Sequence, residues 1–230
     1  MKRRTKVLLI FVILIALGAA MALENYQDKH VSYKVLAKND LGSVERIIYG
    51  CETSEDTIAL ITGMHPRENA SIGPEIQAAK EYANGHSEVN VIHYQVNVTK
   101  DAKNYDKGRA NGEKLVHDYV NPDVTKSGAN CVIISHSKDK GDDEGFYLAT
   151  PEMDDASVEI AKKIYATSDF ENYPTTDNEA YNSTSSQLVS CPIAKAGYPT
   201  FVYEIPKNIT AANSTDRAKE LFSLMVRYTS

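Results

Sequence analysis

Short apolar runs rich in β-branched residues alternate with segments of helical periodicity along this chain, and few architectures accommodate that pattern. Strand character marks residues 30–36, 44–49, 57–62, 89–96, 131–135, 145–149 and 200–205. Helical spacing marks 72–82, 107–119, 156–167 and 216–228, the last with Ala218, Leu221, Leu224 and Met225 on one face. The expected fold class is α/β: a single domain in which helices cover both faces of a mixed, largely parallel sheet. Ligand sites in such sheets gather beyond the carboxyl ends of the strands. Residues 171–186, rich in Asn, Thr and Ser, read as a long surface loop or lid.

The first 23 residues do not belong to this pattern. Lys2, Arg3, Arg4 and Lys6 precede an apolar run over 7–23, with Ala20-Met21-Ala22 as a candidate cleavage site. A helix over that run would be roughly 25 Å long, so a cleaved signal peptide and a retained transmembrane anchor both stay open. Basic residues ahead of the run favour a cytoplasmic start and an exterior body. Residues 24–230 are therefore expected to form one catalytic domain that is secreted or held at the cell surface. Hydrophobic residues make up 42% of the chain and charged residues 24%, which excludes disorder and a multi-span membrane protein. With a net charge of −6 and lysines scattered among acids, no basic stripe exists for a phosphate backbone, so no nucleic-acid partner is expected. Three cysteines allow at most one internal disulfide, which rules out a disulfide scaffold.

Three apolar strands end in residues that carry chemistry. The run Thr57-Ile58-Ala59-Leu60-Ile61-Thr62 leads into Gly63-Met64-His65-Pro66-Arg67-Glu68. A His-x-x-Glu pair on a tight turn can aim a nitrogen and a carboxylate at one Zn²⁺ ion, and Pro66 stiffens the turn. Catalytic zinc takes a third protein ligand and keeps a fourth position open, and His136 is available at the end of Cys131-Val132-Ile133-Ile134-Ser135-His136-Ser137. The third run, Thr200-Phe201-Val202-Tyr203-Glu204-Ile205, holds a lone acid whose desolvation would tune it as a general base. The residues thus point to one zinc per chain held by His65, Glu68 and His136, with Glu204 as the base.

In sequence order, Gly63-Met64-His65-Pro66-Arg67-Glu68, Ile134-Ser135-His136-Ser137 and Phe201-Val202-Tyr203-Glu204 resemble the metal and catalytic motifs of the zinc carboxypeptidase family. The resemblance extends to its succinylglutamate desuccinylase and aspartoacylase relatives and spans roughly residues 57–206. It implies the same metal ligands, with Glu204 activating water and protonating the leaving amine. Arg67 would line the substrate cleft, Arg109 would either stabilise the oxyanion or bind the substrate's carboxylate, and Asn111 would contact substrate. Tyr181 would stand for the family's mobile substrate-binding tyrosine, although Tyr173 fits that place nearly as well. One departure is plain. Arg109 is the only arginine between Glu68 and His136, so it cannot serve both the oxyanion and the Asn-Arg pair with which the family commonly clamps a terminal carboxylate. Against this stands the ordinary reading of Arg109 as a surface salt bridge to Glu113, four residues on.

The expected function is zinc-dependent hydrolysis of peptide or acylamino bonds outside the cytoplasmic membrane, a metallopeptidase of metallocarboxypeptidase type. Peptide substrates, cell-wall peptides among them, rank ahead of small N-acyl amino acids. A non-catalytic surface module on the same scaffold is the rival from another class, and the short supply of arginines is its one support.

Overall fold

The computed structural model describes residues 31–51, 53–138, 145–172 and 183–230, together with Ile13. Ser32–Ser230 is one compact unit and carries the sheet. Ile13 apart, the apolar run over 7–23 lies outside the described residues, as do Tyr173 and Tyr181. Among the described residues no helix is long and apolar enough to cross a membrane.

One mixed sheet of eight strands organises the molecule: β1 (Val31–Asn39), β2 (Gly42–Gly50), β3 (Asp56–Thr62), β4 (Val89–Val98), β5 (Cys131–Ser137), β6 (Tyr147–Ala149), β7 (Glu171–Asn172) and β8 (Thr200–Ile205). Their order across the sheet is β1-β2-β4-β3-β5-β8-β6-β7. The four central strands, β4, β3, β5 and β8, run parallel, while β2 and β6 join them antiparallel on either side. Parallel strands are covered on both faces and read as continuous apolar runs, which is how 58–61 and 131–134 read. Alternate side chains then feed two cores. Ile58, Leu60, Ile133, Phe201 and Tyr203 pack on one side. Ala59, Ile61, Val132 and Ile134 pack on the other.

The first core is closed by α1 (Gly73–Gly85), α4 (Asp155–Thr167) and α6 (Ala211–Thr229), through residues such as Ala78, Ile160 and Leu221. The second is closed by α2 (Tyr105–Leu115), α3 (Asn121–Val124) and α5 (Cys191–Lys195), together with Val116, Val120 and Val189. Side-chain caps fix three of the helix starts: Asn104 accepts from the Lys107 amide, Asp154 from Ser157 and Thr210 from Asn213. The helix expected over 107–119 is less regular than its spacing implied. After α2 the chain makes a π-helical turn over Val116–Val120 before α3, which has Pro122 in its first turn. A second π turn, Ser186–Ser190, likewise precedes a proline-bearing helix, α5. Proline has no amide hydrogen for the i→i−4 ladder, so the preceding turn is where regular pairing gives way.

Candidate metal centre

At the end of β3 the backbone turns at Gly63, whose φ of +77° and proximity to the Val96 carbonyl exclude a side chain. The next turn is closed by the Glu68 amide donating to the His65 carbonyl at 3.1 Å, with Pro66 following His65 to preset the turn. The Ser71 amide and hydroxyl both donate to the Glu68 carbonyl, at 3.1 and 2.8 Å. His65 and Glu68 are thereby fixed before any long-range contact is counted. His136 lies within β5 and is the register partner of Glu204 on β8. Because side chains alternate along strands, His136 and Glu204 share the face opposite Ser135 and Tyr203.

Glu68 is the hub. Its Oε1 lies 2.9 Å from His65 Nδ1 and accepts from Arg109 Nη1 at 2.8 Å. Its Oε2 lies 2.8 Å from His136 Nδ1 and accepts from the Ser137 amide at 3.3 Å. The His65 and His136 ring centroids are 4.4 Å apart. All three side chains are buried, and one ligand atom from each falls within 4.8 Å of the others. Two imidazole nitrogens and one carboxylate oxygen are the His₂Glu donor set of catalytic zinc, so the residues present fit that ion.

The electrostatics follow from mutual burial. Burial works to raise the Glu68 carboxyl, but the charges and hydrogen bonds of His136 and His65 prevail and hold it far below the usual carboxylate range. Burial opposes protonation of His136, yet the Glu68 charge and hydrogen bond, with Glu204 adding, raise it overall. Glu204 is pushed up, first by burial; His136 offsets part of this and the Glu68 charge adds to it. Two acids of one site are thus driven in opposite directions.

A further carboxylate reaches the site. Glu113 Oε1 stands 3.3 Å from His65 Nε2, the nitrogen that faces away from Glu68. A carboxylate on the far nitrogen fixes the tautomer and orientation of a ligating imidazole. Arg109 pairs inward with Glu68, where its expected place in the site puts it rather than where the ordinary surface reading would, and Glu113 pairs with His65. The close approach of α2 makes this possible, because a Cβ at Gly112 would overlap the Met64 carbonyl. The signal for Glu113 was present in its spacing, since 113, 116 and 120 form one stripe and all three are buried.

Arg67, Tyr105 and Arg109 line the cleft beside His65 and Glu68. The Arg67 and Arg109 guanidinium carbons lie 5.7 and 5.2 Å from the Tyr105 ring centroid. Asn111 is not brought into the cluster: its side-chain amide donates to the Lys100 carbonyl at 2.9 Å. Tyr181 lies outside the described residues.

No protein-family model matches the sequence, and no curated protein matches it either. Solved structures do. A protein from Burkholderia mallei assigned as a carboxypeptidase superposes with a TM-score of 0.60 at 15% identity, over 87% of this chain and 64% of its own. This chain thus spans under two thirds of that protein. A metallo-carboxypeptidase from Pseudomonas aeruginosa, in complex with (2-guanidinoethylmercapto)succinic acid, gives 0.58 at 12% identity, over 90% and 67%. A succinylglutamate desuccinylase from Silicibacter gives 0.50 at 15%, over 88% and 68%. The α/β fold is that of the zinc carboxypeptidase-like proteins and their desuccinylase relatives.

Proposed function

We propose that this chain is a zinc-dependent hydrolase of peptide or acylamino bonds. The observation that carries the reading is the buried His65–Glu68–His136 cluster at the ends of β3 and β5, with Glu204 paired in register to His136. Zinc, when held by those three residues, supplies a Lewis acid for the scissile carbonyl and brings the pKa of water near neutrality. Glu204, raised by its burial, accepts the proton of the attacking water and delivers it to the leaving amine. A guanidinium has five N–H donors and the Glu68 contact occupies one nitrogen of Arg109, so the remainder serve the developing oxyanion. Glu113 keeps the His65 ring in place throughout.

The reading extends to place and substrate. Basic residues ahead of the apolar run 7–23 support a body outside the cytoplasmic membrane, secreted or anchored, where peptides, cell-wall peptides among them, are the available substrates. A second reading, deacylation of small N-acyl amino acids, is favoured by the likeness to a desuccinylase. Elemental analysis of the 230-residue chain is expected to find one zinc, lost in His65→Ala and in His136→Ala. Hydrolysis of wall-derived peptides, absent in Glu204→Gln, is the expected activity. No zinc after incubation with excess metal would overturn the proposal, and turnover confined to N-acyl amino acids would shift it to the second reading.

A further inference from the structure

Pro192 has no amide hydrogen to give to the Leu188 carbonyl four residues before it, and the backbone there widens into the π turn over Ser186–Ser190. Donors for that carbonyl come from another part of the chain: His117 Nδ1 at 3.0 Å and Asn121 Nδ2 at 2.9 Å. Asn121 is buried, and Val189, next to the clamped carbonyl, packs in the core that holds Val116 and Val120. Residues 113, 117 and 121 follow at four-residue intervals from the end of α2, through the first π turn, into α3. The helical run that grips Leu188 is therefore the one that carries Glu113, whose Oε1 stands 3.3 Å from His65 Nε2. Glu113 has a second hydrogen-bonding partner in the Thr184 hydroxyl, brought to it by the clamped segment. Burial works to raise the Glu113 carboxyl, but the bonds from His65 and Thr184, with the charges of His65 and Arg109, lower it overall. A carboxylate that braces a ligating imidazole is itself held by its remaining hydrogen bonds, so Thr184 stands one step behind Glu113.

We propose that Thr184 is a positioning residue of the metal centre, acting through Glu113 on His65, and that the grip on Leu188 makes zinc binding and the docking of residues 183–190 interdependent. The inference rests on the zinc reading of the site and on no particular substrate. Its first test is competition between a chelator and the zinc-loaded 230-residue protein. Thr184→Val is expected to weaken zinc binding about fivefold, and Thr184→Ser, which keeps the hydroxyl, to restore it. In a Glu113→Gln background Thr184→Val is expected to have no further effect, because the residue through which it acts is already disabled. The second test is hydrogen exchange read by mass spectrometry. Coupling is reciprocal, so the amides of 186–190 are expected to exchange more slowly with zinc than without it, and this protection to disappear in Thr184→Val and in Glu113→Gln. Asn121→Leu, which removes one donor to Leu188, is expected to speed that exchange and to weaken zinc binding as well, with circular dichroism confirming that each variant is folded. Unchanged zinc affinity in Thr184→Val, a loss that Thr184→Ser does not rescue, a full additional loss in the Glu113→Gln background, or exchange over 186–190 indifferent to zinc would each overturn the inference and leave the hydrolase reading standing. A wild-type protein that binds no zinc would overturn both.

Discussion

The two faces of the sheet bury acidic residues of one kind to opposite effect. On the face covered by α2, Glu68 is surrounded by partners: two imidazoles, a guanidinium and a backbone amide all meet its two oxygens. On the face covered by α1 and α6, Glu75 is wholly buried and neither of its oxygens has a hydrogen-bond partner among the described residues. The Tyr203 hydroxyl and the Ser135 hydroxyl on that face are likewise unpartnered. Burial alone pushes Glu75 up to about 8, so it is a neutral acid in the fold below that pH, while Glu68 is held as a carboxylate far below its ordinary range. Desolvation presses on both; partners decide which form survives. A buried acid in this protein is therefore a carboxylate or a neutral core group according to the partners that the neighbouring elements bring to it.

Removing the hub should produce the largest change. Glu68→Ala takes the shared acceptor from His65, His136 and Arg109, and it is expected to abolish zinc retention and hydrolysis and to cost on the order of 3 kcal/mol of stability. Zinc that remains at one per chain by elemental analysis would show that Glu68 is not a ligand. Glu113→Gln cuts less deeply, since it leaves the three ligands and weakens only the hold on His65 Nε2. Competition with a chelator is expected to reveal a 10- to 100-fold loss of zinc affinity, and an unchanged affinity would reduce Glu113 to a packing residue.

The smallest effect belongs to the other face. Glu75 has a folded pKa of about 8 against an ordinary value of 4.5, so the folded state binds the proton more tightly than the unfolded chain does. Its contribution to stability is complete below the unfolded pKa and is lost as the pH rises, the loss being finished above about 8. Glu75→Gln, which stays neutral, is expected to melt near the wild-type temperature at pH 5 and several degrees higher at pH 8. Thermal melts that run parallel at both values would mean that Glu75 finds a partner in solution.

Much of this was legible along the chain. The strand expected over 200–205 is observed over those residues, and those expected over 57–62 and 131–135 differ by one or two. Period-two alternation and flanking turn residues are local signals, and strands buried on both faces leave little freedom in how such runs are used. The ends of α1, α2 and α6 moved further, because capping groups such as Asn104 and Thr210 set them rather than the apolar stripe.

By itself the sequence determined the alternating α/β architecture, and it singled out His65, Glu68, His136 and Glu204 as polar residues at the ends of strands that must run together. Proximity follows there from topology, since parallel neighbours bring their carboxyl ends to one edge. Only the tertiary structure decided whom each side chain meets. For Arg109 the sequence offered a place in the site and a surface salt bridge to Glu113; α2 approaches the turn after β3 at Gly112, where a side chain would strike the Met64 carbonyl, and each of the two residues turns to one more than forty positions away. The same approach set Arg67 and Arg109 on one tyrosine and left Asn111 outside. Such pairings depend on how closely two elements pack, a property of the assembled fold that no local spacing encodes.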